Sequence, residues 1–189
     1  MLQLLDDIRA CTACDDLPAG PRPVVQGSPS AKVVIIGQAP GRKVHASGIP
    51  WDDASGKRLR SWMGVDDDTF YDPARVAILP MGFCYPGSGK SGDLPPRANC
   101  APLWHDAFLD ELAPDTLRLV LGAYAIKRYV PEAGKTLTST VKAFRDLLPD
   151  RLVLPHPSPR NVRWFKANPW FDDEVVPVLR RRVAEVLSG

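Results

Sequence analysis

Four short apolar runs punctuate the chain, at residues 32–37 (Lys-Val-Val-Ile-Ile-Gly), 76–79 (Val-Ala-Ile-Leu), 117–122 (Leu-Arg-Leu-Val-Leu-Gly) and 152–154 (Leu-Val-Leu). Their apolar residues are nearly consecutive rather than alternating, and the runs are too short for helices. This predicts parallel strands buried on both faces. Between them the period changes. Leu59, Trp62 and Met63 fall on one helical face of residues 55–63, with Arg58 and Arg60 on others. Similar spacing predicts helices over residues 2–9, 102–112, 123–129, 141–148 and 172–187, the last with Arg180, Arg181 and Arg182 at its exposed edge. Strands alternating with helices predict an α/β fold: a three-layer αβα sandwich around a central, mainly parallel four-stranded sheet, built as one domain over residues 1–189. Residues 18–29 read as a turn-rich crossing segment. Residues 88–97 are too polar and glycine-rich for an element and read as a surface loop.

Composition narrows the function classes. A chain of 189 residues with 44% hydrophobic content can bury a core without disulfide staples. No stretch is apolar and long enough to span a bilayer, so no membrane partner is expected. The first residues, Met1-Leu-Gln-Leu-Leu-Asp-Asp-Ile8, lack the basic n-region of a secretory signal, and a cytoplasmic location is expected. The net charge of +2 does not by itself announce a nucleic-acid binder. Nothing in the sequence calls for an obligatory protein partner.

In a parallel α/β sheet, ligands bind beyond the carboxyl ends of the strands. That rule selects Gly37-Gln-Ala-Pro-Gly41, Pro80-Met-Gly-Phe-Cys84, Gly122-Ala-Tyr124 and His156-Pro-Ser-Pro-Arg160. In the last of these, Pro155, Pro157 and Pro159 fix the backbone around His156 and Ser158. Such a loop serves either as a stiff exit turn or as a mount for the histidine. The cysteines form a second constellation. Cys11 and Cys14 are a C-x2-C pair, and Cys84 and Cys100 follow about seventy residues later. Four cysteines in a reducing compartment favour a metal over disulfides. Four thiolates suit zinc or an iron–sulfur cluster, and buried free cysteines are the plainer alternative.

Taken together, Val33-Val-Ile-Ile-Gly-Gln-Ala-Pro-Gly41, Gly48-Ile-Pro-Trp51, Ala54-Ser-Gly56, the four cysteines and His156-Pro-Ser-Pro159 resemble the uracil-DNA glycosylase superfamily. The cysteine pattern is similar to the iron–sulfur-containing family-four branch, and the His-Pro-Ser-Pro loop resembles the second motif of family one. The resemblance runs from Cys11 to about Phe165. It implies a DNA-repair hydrolase that cleaves the N-glycosidic bond of uracil or a related deaminated base, with DNA, single- or double-stranded, as its partner. It implies a [4Fe-4S] cluster on Cys11, Cys14, Cys84 and Cys100, with zinc or no metal as alternatives. His156 matches the histidine that donates to the departing base. Trp51 matches the aromatic that stacks on it, although a tryptophan there also suits core packing. Gly37, Gln38, Ala39 and Pro40 match the turn lining the base pocket. Ser158, Arg160 and Asn161 match the grip on the flanking phosphates, and Arg163 and Lys166 extend it through Trp164 and Phe165.

The sequence also departs from the family pattern. Family one carries aspartate where this chain has Ala39, and family four carries glutamate where it has Gln38. The nearest substitute carboxylate is Asp53, with Asp52 second, resembling the aspartate before Ala-Ser-Gly in family five. Either aspartate also suits a helix N-cap. Catalytic candidates are therefore His156, Asp53 and Gln38. The segment Pro80-Met-Gly-Phe83 lacks the asparagine with which the family often reads the uracil edge. That leaves hypoxanthine, xanthine and 5-substituted uracils open as substrates. His45 follows the first motif and reads as a solvated loop residue or a DNA contact. Two other classes stay open: a lesion-binding module of the same fold that does not cut, and a four-cysteine zinc protein with an unrelated small-molecule pocket.

Overall fold

The computed structural model describes residues 1–90 and 92–189. Helix α1 (Leu2–Arg9) leads through an extended segment into strand β1 (Val33–Ile36). Helices α2 (Arg42–Ser47), α3 (Ala54–Met63) and α4 (Asp67–Tyr71) precede β2 (Val76–Ile78). A small hairpin, β3 (Ser88–Gly89) and β4 (Gly92–Asp93), is followed by α5 (Cys100–Asp110), β5 (Leu117–Leu121) and α6 (Gly122–Tyr129). Next come α7 (Leu137–Lys142), β6 (Arg151–Leu154), α8 (Val162–Ala167) and α9 (Val176–Ser188).

The four expected strands form one sheet of order β2-β1-β5-β6, every neighbour parallel. All four residues of β1 are fully buried, as are Leu119, Val120 and Leu121 of β5 and Leu152, Val153 and Leu154 of β6. Helices flank the sheet, giving the α/β sandwich that the alternation of periods predicts. The turn-rich crossing segment does a specific job. Gln26 forms an antiparallel bridge with Ile78, and its side-chain amide donates to Phe70 O and Val76 O at 3.1 and 2.8 Å. The unpaired edge of β2 is thereby partly covered. Among the described residues no helix is long and apolar enough to cross a membrane.

Several expected elements shift, for local reasons. The helix expected over residues 141–148 begins earlier, because Thr136 and Ser139 form a reciprocal capping box. It ends at Lys142 and passes into a 3-10 turn, Phe144–Leu147, ahead of Pro149, which cannot continue a helix. The last helix is preceded by a π turn over Phe171–Val175, and the α-helix proper starts with Pro177 in its first turn. Its arginines are partly committed. Arg180 donates to Ser61 O at 2.9 Å, and Arg182 pairs with Glu185 and is half-buried. The segment read as a polar surface loop contains the β3–β4 hairpin. Helices α2, α4 and α8 have only five or six residues, too short to show a hydrophobic period.

Candidate functional site

The order β2-β1-β5-β6 makes the chain turn to opposite sides of β1, toward β2 first and β5 later. Crevices open beyond the carboxyl ends of strands at such a switch point. Here that place holds a cavity of about 370 Å³. Its walls come from the turn after β1 (Gly37 to Gly41), from Trp51 and Asp53, from Pro80 after β2, from Gly92 to Leu94 on the hairpin, and from His156, Ser158, Arg160 and Asn161 after β6.

The β1 turn is fixed from below. Met81 N donates to Gly37 O and Gly82 N to Gln38 O, both at 3.0 Å. Above it lies the Trp51 indole. A Cβ on Gly37 would stand 2.9 Å from Trp51 Cζ2, so only glycine admits the ring this close. Trp51 has φ +58°, a left-handed conformation that costs energy for a bulky residue. Its carbonyl accepts from Arg60 Nη1 at 3.4 Å and sits where a Cβ on Gly56 would be, 1.8 Å away. The motif Trp51-Asp-Asp-Ala-Ser-Gly56 is therefore one packed unit. Asp53 caps α3 by accepting from Gly56 N at 2.8 Å, and it also lines the cavity. The cap and the catalytic candidate are the same residue. Asp52 is exposed and lies outside the cavity wall.

The histidine loop is clamped from three sides. Asn161 Nδ2 donates to His156 O at 2.8 Å. Arg58 Nη1 donates to Pro157 O at 3.2 Å and Ser158 O at 3.3 Å, while its guanidinium lies 5.1 Å from the Phe165 ring centroid. Gly122, at φ +80°, passes behind the imidazole; a Cβ there would stand 3.5 Å from His156 Cβ. The imidazole lies beside the indole of Trp51, ring centroids 5.6 Å apart at 31°. Burial lowers the pKa of His156 below 6.5, and the charges of Asp53 and Asp93 only partly oppose this. The side chain is held as a neutral imidazole at pH 7, able to donate one N–H into the cavity.

Other expectations are revised. The Asn161 amide is spent on the loop backbone, and the Ser158 hydroxyl accepts from Arg160 N at 3.2 Å, so both shape the loop as well as its surface. Trp164 and Phe165 do not interleave with the exposed Arg163 and Lys166. They pack half-buried with Trp62, Trp170 and Phe171, and Trp164 Nε1 donates to Thr138 at 2.9 Å. His45 is neither a solvated loop residue nor part of the cavity wall. It sits on α2, 5.9 Å from the Tyr85 ring, with Nδ1 buried.

Sequence reasoning missed three contributors. Asp93 brings a second carboxylate to the cavity, and only the hairpin delivers it. Gly92 makes room for Arg160, whose Nη1 stands 1.7 Å from where a Cβ on Gly92 would be. The run of glycines at residues 87, 89 and 92 was the available signal. The third is fully buried His105, which accepts from or donates to Tyr129 OH at 2.5 Å through Nδ1 and contacts Pro80 O at 3.0 Å through Nε2. Since a carbonyl only accepts, Nε2 carries the hydrogen and Nδ1 accepts from the tyrosine.

The four cysteines, far apart in sequence, line one small apolar cavity. All are free and half-buried. The Cys84 thiol is pushed up to about 11, first by burial and then by the neighbouring charges of Cys100, Cys14 and Cys11; Cys100 is raised for the same reasons. As placed, no three His, Cys, Asp or Glu side chains among the described residues form a group that would hold a metal ion. What converges is the donor set: four thiols around one space, the chemistry of a soft-metal site.

The sequence model of the Uracil DNA glycosylase superfamily matches residues 24–180. This stretch contains every residue lining the large cavity, together with Cys84 and Cys100, and leaves Cys11 and Cys14 outside it.

Proposed function

Since the chain belongs to the Uracil DNA glycosylase superfamily, we propose that it is a monofunctional hydrolase that excises uracil or a related deaminated base from DNA and leaves an abasic site. One observation carries the reading. A neutral histidine, clamped in a proline-locked loop, faces a cavity at the strand ends beside an aromatic ring.

A base inside a duplex is unreachable, so it must be swung out into the cavity. Trp51 offers the face on which a planar heterocycle stacks. The bond from C1′ to the base nitrogen, N1 of uracil or N9 of a purine, breaks with its electron pair leaving on the base, which departs as an anion, while positive charge develops at C1′. The His156 N–H donates to that anion without having to titrate. Its rigid mount means little reorganisation is needed as charge develops. One oxygen of Asp53 is held by the Gly56 amide. The other orients a water toward C1′ and offsets the sugar's positive charge. The water oxygen bonds to C1′ and loses one proton, and the base anion gains one.

Cys11, Cys14, Cys84 and Cys100 would hold a [4Fe-4S] cluster, as in the family-four branch, and when bound it supplies a structural crosslink between the N-terminal segment and residues 84–100. No electron is exchanged in glycosidic hydrolysis, so the proposed reaction routes nothing through it. Visible absorbance with an iron count near four per chain supports a cluster; a colourless protein carrying zinc overturns it.

A second reading is favoured by Ala39, which leaves the first motif without a carboxylate: a lesion-binding module that does not cut. End-labelled oligonucleotides with one uracil, hypoxanthine or xanthine, followed by alkaline cleavage of abasic sites, separate the two. Excision lost by roughly a hundredfold or more in His156→Ala, the scale of one transition-state donor, supports the enzyme. Tight lesion binding with no cleavage of any base supports the module.

A further inference from the structure

Gln38 lines the cavity and is half-buried, yet its carboxamide makes no hydrogen bond to any described residue. Its backbone is firmly placed, because Gln38 O accepts from Gly82 N at 3.0 Å. Neither of its polar atoms is walled off from the cavity, so the carboxamide is open to a ligand that enters. The other amide in the cavity wall, Asn161, is committed to His156 O. Nor does the strand-end turn beneath offer a substitute. It reads Pro80-Met-Gly-Phe83, and a Cβ on Gly82 would already meet Pro96 Cβ at 3.0 Å, so no longer side chain reaches in from there.

A carboxamide presents one acceptor and one donor side by side. That pair is complementary to the adjacent C=O and N–H of a lactam, the group shared by uracil, hypoxanthine and xanthine, and after a 180° flip to an amino-substituted ring edge such as that of cytosine or adenine. No hydrogen bond from a described residue locks the flip.

We propose that the Gln38 carboxamide reads the ring edge of the flipped base, and that its unlocked orientation accepts lactam bases of both ring sizes. On this inference Gln38 supplies affinity for a base in the cavity, pyrimidine or purine, over an empty site, and the protein is not confined to uracil. The inference rests on the glycosylase reading for the base being in the cavity, but concerns recognition rather than bond breaking.

The test separates the two. Binding is measured with duplexes carrying 2′-fluoro analogues of uridine, inosine and thymidine and of an abasic site, which resist hydrolysis. Native protein and Gln38→Leu, of similar size, are compared, and cleavage of ordinary uracil and hypoxanthine duplexes is followed in parallel. Expected is a preference of native protein for both uracil and hypoxanthine analogues over the abasic one, falling about ten- to a hundredfold in Gln38→Leu, the scale of one bidentate amide–base pair. Gln38→Glu, acceptor only, retains part of the preference. Preference unchanged in Gln38→Leu, or uracil bound and hypoxanthine refused by native protein, overturns the inference even if uracil is cleaved. Preference lost in Gln38→Leu without cleavage by native protein upholds it and rejects the hydrolase. No base preference in native protein overturns the inference as well.

Discussion

Replacing Asn161 with alanine tests whether this side chain holds the histidine or grips phosphate. The structure spends its amide on the His156 carbonyl, at 2.8 Å. Losing one such half-buried bond costs about 0.5–1.5 kcal/mol of folding stability. The effect on chemistry is larger, because the freed loop lets the imidazole drift, and misplacing a donor by about an ångström costs on the order of a hundredfold in rate. Single-turnover excision by Asn161→Ala is therefore expected to fall by roughly ten- to a hundredfold, or ~1.4–2.8 kcal/mol in barrier. His156→Ala is expected to fall by roughly a hundred- to a thousandfold. The decisive comparison is the double variant. If Asn161 acts through His156, removing it from a chain that already lacks the imidazole changes little, and the coupling energy equals nearly the whole single effect. A phosphate grip gives the opposite pattern: multiplying rate losses and DNA binding weakened alike for every sequence. Multiplicative losses refute the clamp.

Three further outcomes are expected. Because burial holds His156 below 6.5, its protonation hardly changes above neutrality, and the single-turnover rate should be flat between pH 7.5 and 8.5; a tenfold fall per unit in that range would mean that a protonated histidine is required. His105 is pushed down to about 4 by burial and the charge of Arg128, against the pull of its bond to Pro80 O and of Asp106. The unfolded chain thus takes up a proton between pH 6.5 and 4 that the folded chain refuses. Stability should fall by roughly 3 kcal/mol as pH falls through that window, and His105→Gln should flatten this dependence in denaturant titrations. Cys84→Ser should lower the melting temperature by about 5 °C or more, ~2 kcal/mol for a chain of this size, while excision per folded molecule persists; a variant with native melting and no activity contradicts a structural role for the cysteine.

The sheet was legible because each strand is buried on both faces and so writes its full length as an apolar run. The proline loop and the glycine turn were legible because backbone restriction is a property of residue type. Harder to read was anything that depends on a side chain crossing the fold. Nothing in the spacing of Arg58 says that its guanidinium reaches the carbonyls of Pro157 and Ser158. Asp93 is one aspartate among many until the hairpin brings it to the cavity. Trp164 and Phe165, alternating with basic residues, look like a nucleic-acid stripe; packing against Trp62 and Phe171 wins because the rings bury more area there than a solvent-facing stripe would. Asp53 shows the opposite case. Two readings of one residue competed in the sequence, and a carboxylate with two oxygens accommodates both.

The five residues Pro80 to Cys84 explain why damage at the cysteines should reach stability before chemistry. This segment forms the floor under the β1 turn, through Met81 N to Gly37 O and Gly82 N to Gln38 O, and Phe83 O accepts from Val24 N at 2.8 Å. It is anchored a second time from α5, where His105 holds Pro80 O at 3.0 Å and is itself held by Tyr129. Cys84 ends the segment, and Cys100 begins the helix that carries His105. A crosslink among the cysteines would therefore tie both anchors of the cavity floor together. Loosening the Cys84 end still leaves Pro80, Met81 and Gly82 bonded to their partners, so the cavity keeps its shape while the fold loses a restraint. Loosening the His105 end frees Pro80 itself, which lines the cavity. The residue that looks most like core filler thus lies mechanically closer to the cavity than the cysteines that look most like a functional site.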